Sequence, residues 1–223
     1  MRIGIIGTGN IGGTLTRRLT KLGHDVAIAN SRGPDTLRDF AKETGATPVT
    51  VEDAVLDRAI VIVTIPERNI PDLPAGLFDA ARPDTIVIDT GNYYPQQRDG
   101  RIDDIENGMP ESRWVSNHLG RPVIKTFNNI YAKHLMERGL PPGATNRIAL
   151  PVAGDDEKAK AAVMQLVDSL GFDPIDAGTL DDSWRQQPGT PVYGTDRDAA
   201  GATRALAQAK RERPAEFTAA AAR

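Results

Sequence analysis

Residues 2–29 read RIGIIGTGNIGGTLTRRLTKLGHDVAIA. Arg2–Ile6 is a short apolar run with β character. Gly7, Gly9 and Gly12 follow at G-x-G-x-x-G spacing. Ile11, Leu15, Leu19 and Leu22 then recur on one face of a helix predicted to stop at Gly23. Val26–Ala29 is a second strand. A strand, a glycine turn, a helix and a second strand form one βαβ unit, and this context gives the glycines their meaning. Gly7 permits the tight turn, Gly9 lets the backbone approach a pyrophosphate, and Gly12 lets the helix lie close to the strand. Thr8, Asn10 and Ile11 complete the turn, where helix N–H groups face an anion with the helix dipole behind them. The expected ligand is a dinucleotide.

The alternation continues along the chain. Pro34 opens a helix that ends near Gly45, and Thr47–Val49 is a third strand. Glu52–Asp57 reads as a short helix. Ile60–Ile65 (IVIVTI) and Thr85–Asp89 (TIVID) are continuous β-branched runs of the kind buried in parallel sheets. Further strands are expected at Val123–Phe127, Arg147–Ala153 and Asp173–Asp176, and helices at Ile130–Arg138, Asp155–Leu170 and Ala199–Arg211. The fold class is therefore α/β: a Rossmann-type, doubly wound, mainly parallel sheet in a single domain. Residues 1–180 form the nucleotide-binding part. Residues 181–223 are expected to pack on it as a loop and helix, with a frayed tail from about residue 216. Two irregular stretches, Tyr93–Gly108 and Leu180–Asp198, are long for ordinary connections and are candidates for functional loops.

The end of the second strand indicates which dinucleotide binds. An NAD site places an acid there to bond the ribose hydroxyls. Here Asn30 occupies the position, and Ser31 and Arg32 follow. A hydroxyl beside a guanidinium suits a 2′-phosphate, which Arg can bond in bidentate fashion. The expected cofactor is NADP. At the carboxyl ends of later strands, Ile65 and Pro66 offer an apolar shelf for a nicotinamide. Asn128 and Asn129 either bond its carboxamide or cap the following helix. No acid–base pair stands out. Lys125 lies within a strand pattern, so its K-x-x-x-N spacing to Asn129 does not put both on one helix face. His118 and His134 are isolated.

The 223 residues carry a net charge of −3, three histidines and no cysteine. That excludes disulfides and thiolate chemistry and gives no electrostatic case for nucleic acid. No apolar run approaches a membrane span and no signal peptide is expected, so the predicted location is cytoplasmic.

GTGNIGG at 7–13, NSR at 30–32, VTIP at 63–66 and VIKTFNNI at 123–130 together resemble the NADPH-dependent oxidoreductases of the deazaflavin coenzyme (factor 420). That family is similar to the reductase domain of six-transmembrane metalloreductases. The resemblance implies a Rossmann-type domain, often a homodimer, whose nicotinamide faces a planar acceptor such as a deazaflavin or flavin. NYYP at 92–95 and the segment 181–198 depart from the family pattern. After Asn129 the chain returns to strand–helix–strand, leaving no room for a large helical substrate domain. An open cleft suits a flat acceptor, because hydride transfer between stacked rings needs mainly positioning. Trp184, Arg185 and Tyr193 either stack on such a ring or dock the C-terminal segment. Two other readings stay open: an NADPH-dependent reductase of a small carbonyl or imine, with Lys125 or His118 as proton donor, and a non-enzymatic NADP-binding redox sensor.

Overall fold

The computed structural model describes residues 1–219. In chain order the elements are β1 (Arg2–Ile6), α1 (Asn10–Lys21), β2 (Asp25–Ala29), α2 (Arg38–Thr44), β3 (Thr47–Pro48), β4 (Ile60–Val63) and β5 (Ile86–Asp89). Then come α3 (Asp103–Glu106), α4 (Glu111–Leu119), β6 (Val123–Lys125), α5 (Ala132–Glu137), β7 (Ala149–Val152), α6 (Glu157–Ser169), β8 (Asp173–Asp176) and α7 (Ala199–Gln208). Six strands form one parallel sheet in the order β3-β2-β1-β4-β5-β6. The winding reverses between β1 and β4, which opens a crevice at their carboxyl ends. β7 and β8 form a parallel pair of their own, joined to β6 by an antiparallel bridge between Lys125 and Ala153.

Side-chain alternation along the strands sorts the core into two layers. Ile3, Ile5, Ile60, Ile62, Ile88 and Ile124 pack with Leu15 and Leu19 of α1 and Val163 and Val167 of α6. Val61, Val63, Val87 and Val123 face the other way, onto Val55, Trp114 and Val115. Both faces are covered, so β4 is apolar at every position.

Several local expectations are corrected. Residues 51–57 form consecutive turns, not a helix. β6 ends at Lys125, two residues early, because Phe127 sits in the left-handed region (φ 62°) and turns the chain. Helix formation after it starts only at Ala132, with Tyr131 at the cap position and no side-chain cap, so neither Asn128 nor Asn129 caps α5. The stretch 93–108 contains a π turn at Pro95–Asp99 and the short α3, and 180–198 begins with a 3-10 segment at Leu180–Gln186. Residues 215–219 are tied down rather than frayed. The Gln96 amide donates to the carbonyls of Ala215 and Thr218, and Ala219 N–H donates to Glu106. The rest of the expected frayed tail, 220–223, lies outside the described residues.

Candidate dinucleotide cleft

Sheet register sets the site. Ile6 is level with Ala29 on one side and with Val63 on the other, so Gly7, Asn30 and Thr64 emerge side by side. Gly7 N–H donates to Ala29 O at 2.8 Å and Thr64 N–H to Ile6 O at 2.9 Å. Above these ends lies a cleft of about 640 Å³ lined by Gly7, Thr8, Gly9, Asn30, Ser31, Arg32, Ile65 and Pro66.

The three glycines meet different surroundings. Gly7 has φ +102°, and a Cβ there would lie 2.3 Å from Thr64 O. A Cβ on Gly12 would lie 2.0 Å from Gly7 O. Gly9 is exposed, with nothing within 4 Å of its Cβ position. Two glycines are thus required by protein packing, while the third leaves an open approach to the backbone. Gly9 is also the N-cap of α1, which has no side-chain cap and no acid in its first turn. The first N–H groups of a helix have no intrahelical acceptor, so those of Asn10 and Ile11 are available to an anion. A pyrophosphate fits this arrangement.

At the β2 end, the Asn30 side chain is turned onto its own loop. Its Oδ1 accepts from Arg32 N–H at 2.9 Å, and its Nδ2 donates to Thr36 at 3.0 Å. Ser31 and Arg32 are exposed, and Arg32 enters none of the ion pairs found among the described residues. The opposite wall was not anticipated: Thr50, Val51 and Glu52, with Asn69, Asp72, Leu73 and Pro74. Its one sequence signal was the proline spacing of PERNIPDLP at 66–74, which forces a 3-10 path instead of a helix.

The asparagines do not reach the cleft. Asn128 Nδ2 donates to Gln186 O at 2.7 Å and Asn92 Oδ1 at 3.0 Å, and its Oδ1 accepts from Gln186 Nε2 at 2.9 Å. Asn128 therefore fastens the 180–186 segment to the sheet. Asn129 is buried, and both polar atoms of its amide lack partners among the described residues.

Next to the Ile65–Pro66 end of the cleft lies a buried charge cluster. Asp89 and Lys125 are level cross-strand neighbours, two residues beyond the paired Val87 and Val123, so period 2 points both at α4. Lys125 Nζ donates to Asp89 Oδ2 at 3.0 Å and to Gly91 O at 2.6 Å. Ser112 Oγ of α4 donates to the same carboxylate at 2.6 Å. Glu111 accepts from Arg213 at 2.9 Å. Glu67, next to Pro66, is fully buried, and neither carboxyl oxygen meets a donor. Burial, reinforced by Asp89, pushes its carboxyl well above the usual range, which favours the neutral acid. Burial also raises Glu111, against the pull of Arg213 and Lys125. For Lys125, burial lowers the ammonium pKa, but Asp89, Glu67 and Glu111 outweigh it and the net direction is up. Lys125 is thus a held cation. His118 lies at the C-terminal end of α4, with its Nδ1 at 2.9 Å from Trp114 O, and is not among the residues lining the cleft.

Three tyrosines lie close to one another outside the lining of the cleft. The hydroxyls of Tyr94 and Tyr193 are hydrogen-bonded, and Gly194 lies against the ring of Tyr131, which is 59% exposed. Trp184 is elsewhere, with the guanidinium groups of Arg185 and Arg211 at 5.3 and 5.8 Å from its ring centroid.

Comparison with known proteins agrees with this geometry. A hypothetical protein of known structure from Sinorhizobium meliloti, SMa0349, is 30% identical with a TM-score of 0.74, covering 88% of this chain and 94% of that one. The family described as NADP oxidoreductase, coenzyme F420-dependent, matches residues 2–93. Over that stretch, less than half of its length, the chain is similar to this family. The Escherichia coli (strain K12) protein YjhV is 47% identical over 91 residues, 41% of this chain and 59% of that protein. Metalloreductase STEAP3 of Rattus norvegicus is 26% identical over 181 residues, 80% of this chain and 34% of that protein. The chain spans less than two thirds of either of these curated relatives. The family match ends at Tyr93 and so takes in the glycine turn, the Asn30–Arg32 exit and the Ile65–Pro66 shelf, but not Tyr94, Tyr131 or Tyr193. Among the described residues, no helix is long and apolar enough to cross a membrane.

Proposed function

We propose that this chain is an NADPH-dependent oxidoreductase that passes hydride between NADPH and a planar acceptor such as a deazaflavin or flavin. The observation that carries this reading is the single continuous cleft from Arg32 and Ser31, past Gly7–Gly9, to Ile65 and Pro66. The first-turn amides from Thr8 to Gly12 hold the pyrophosphate, and Ser31 and Arg32 hold the 2′-phosphate. Ile65 and Pro66 support one face of the nicotinamide, leaving the other face to the acceptor. The bound cofactor supplies the hydride, and the chain supplies position. Asn128 drops out of this assignment because its side chain is committed elsewhere.

We assign the acceptor to Tyr94, Tyr131 and Tyr193, which do not line the cleft but whose neighbouring rings offer apolar faces with polar tips, suited to a flat heterocycle. Neither donor expected for a small carbonyl or imine is in place: Lys125 is buried on Asp89, and His118 does not line the cleft. A small carbonyl or imine would need such a donor. A reduced ring can take its accompanying proton from water in an open cleft. We place the enzyme in the cytoplasm as a homodimer, which sedimentation equilibrium would test.

Arg32→Ala is expected to weaken NADPH by about 1.5–3 kcal/mol, the value of a charge-assisted hydrogen bond, and to leave NADH nearly unchanged. Calorimetric titration with both dinucleotides checks this. Equal affinity of the parent protein for NADPH and NADH would overturn the NADP assignment. NADPH oxidation across deazaflavin, free flavins, quinones and ferric chelates tests the acceptor, and turnover with none of the ring compounds would sink that part.

A further inference from the structure

A second cavity, of about 360 Å³, shares no lining residue with the dinucleotide cleft. Its walls bring Trp184 and Gln187 together with Lys210 and Arg211, at the N-terminus of α4. Gln187 is 7% exposed. Arg213 donates to its Oε1 at 3.3 Å. A guanidinium offers only donors, so it fixes the amide with oxygen toward Arg213 and Nε2 away from it. That Nε2 is buried and meets no acceptor among the described residues. Arg213 is itself committed to Glu111 at 2.9 Å, and so orients the amide without remaining free.

The surroundings of this unpartnered donor favour an oxyanion. Lys210 and Arg211 are exposed, and neither enters an ion pair found among the described residues. Arg211 lies 5.8 Å from the Trp184 ring centroid. Pro110 caps α4 without a side-chain bond, leaving its first-turn N–H groups uncapped beside the cavity. Two carboxylates, Glu106 and Glu212, also line it. Glu106 already accepts from Ala219 N–H at 2.9 Å. Their presence balances the charge and disfavours polyanions, leaving room for one small anionic group.

We propose that this cavity is a second ligand site for a small flat molecule carrying one oxyanion, an aromatic carboxylate or an aryl phosphate. The ring lies on Trp184 and the oxyanion accepts from Gln187 Nε2, flanked by Arg211 and Lys210. The site is independent of the dinucleotide reading.

The test is calorimetric titration of the full chain with phenyl phosphate, benzoate and inorganic phosphate, with and without saturating NADPH. One of the two ring compounds is expected to bind with 1:1 stoichiometry and a Kd below about 1 mM, whether or not NADPH is present. Which ring compound binds tighter assigns the oxyanion as phosphate or carboxylate. Inorganic phosphate, lacking the ring, is expected to bind at least about tenfold more weakly. Gln187→Glu keeps the acceptor for Arg213 and replaces the donor by a second oxygen, so affinity is expected to fall at least about tenfold. Arg211→Gln, at an exposed position, is expected to weaken binding by about tenfold with an unchanged melting temperature, and keeps the test valid if the first variant misfolds. Three results would overturn the proposal: no binding of either ring compound in the millimolar range, unchanged affinity in the soluble variants, or displacement by NADPH.

Discussion

Gly9→Val is expected to abolish NADPH binding in a protein that melts nearly where the parent does. The position has φ −72° and ψ −156°, a conformation open to any residue, and its Cβ direction is empty to 4 Å. The Cβ of valine therefore meets no protein atom beyond its own turn, and the substitution is expected to cost only a fraction of a cap, within about 3 °C of melting temperature. The same side chain occupies the space through which a pyrophosphate would reach the amides of α1. Losing two charge-assisted bonds there corresponds to on the order of a hundredfold or more in Kd. Gly12→Ala is the opposite case. Its methyl would lie 2.0 Å from a backbone oxygen, Gly7 O, which cannot swing aside. Overpacking of this kind costs about 3 kcal/mol, or about 6–12 °C for a chain of this length. Melting curves and NADPH calorimetry on the two variants separate the ligand-facing glycine from the packing glycine. Undiminished NADPH binding by Gly9→Val would show that the turn does not hold the pyrophosphate.

That contrast also shows which features were legible in the sequence. The βαβ unit was readable because three local signals agreed: β-branched residues in Arg2–Ile6, glycines at fixed spacing, and apolar period in α1. IVIVTI was readable as a central strand because burial on both faces demands apolar residues at every position. The cleft residues that follow directly from strand ends, Gly7, Asn30 and Ile65, were placed by register alone. What failed was the part governed by contacts distant in sequence. Asn128 looked like a ligand group or cap because nothing local reveals Gln186, 58 residues away, as its partner. The end of β6 depended on Phe127 adopting a positive φ, which a bulky residue accepts only when tertiary packing holds it there. The 51–57 stretch has helical composition, yet it forms turns against β1.

The buried cluster was the largest omission, for a physical reason. Glu67, Asp89, Glu111 and Lys125 come from four different elements, and charged residues are by default solvated. Only the sheet register and the docking of α4 make them neighbours. Their position ties the Ile65–Pro66 end of the cleft to the core, since Glu67 follows Pro66 and Lys125 also holds Gly91 O.

Lys125→Met is expected to be among the most destabilising substitutions in the chain. It removes the cation from a buried group of carboxyls and leaves Asp89 with only Ser112 Oγ and Gly91 N–H. Breaking a buried pair from one side costs about 3–5 kcal/mol, a melting shift of about 6–20 °C. Adding Asp89→Leu is expected to recover part of the loss, because the orphaned charge is removed as well. The companion experiment concerns Glu67, whose carboxyl lies well above its ordinary value of 4.5 in the folded chain. Between 4.5 and the raised value the native state holds a proton that the unfolded chain has released. Stability from this group is complete below the unfolded value and falls as pH rises through that window, by about 1.4 kcal/mol per pH unit. Glu67→Gln cannot ionise and is expected to flatten the slope, gaining on the parent as pH rises above 4.5 and into the alkaline range. Glu111 is shifted in the same direction, so some slope remains. Urea unfolding across that range measures both chains. An identical slope in the variant would mean that Glu67 is ionised in the folded protein. If NADPH affinity of the parent also declines at alkaline pH and that of Glu67→Gln does not, ionisation of this one carboxyl loosens the shelf at Ile65 and Pro66.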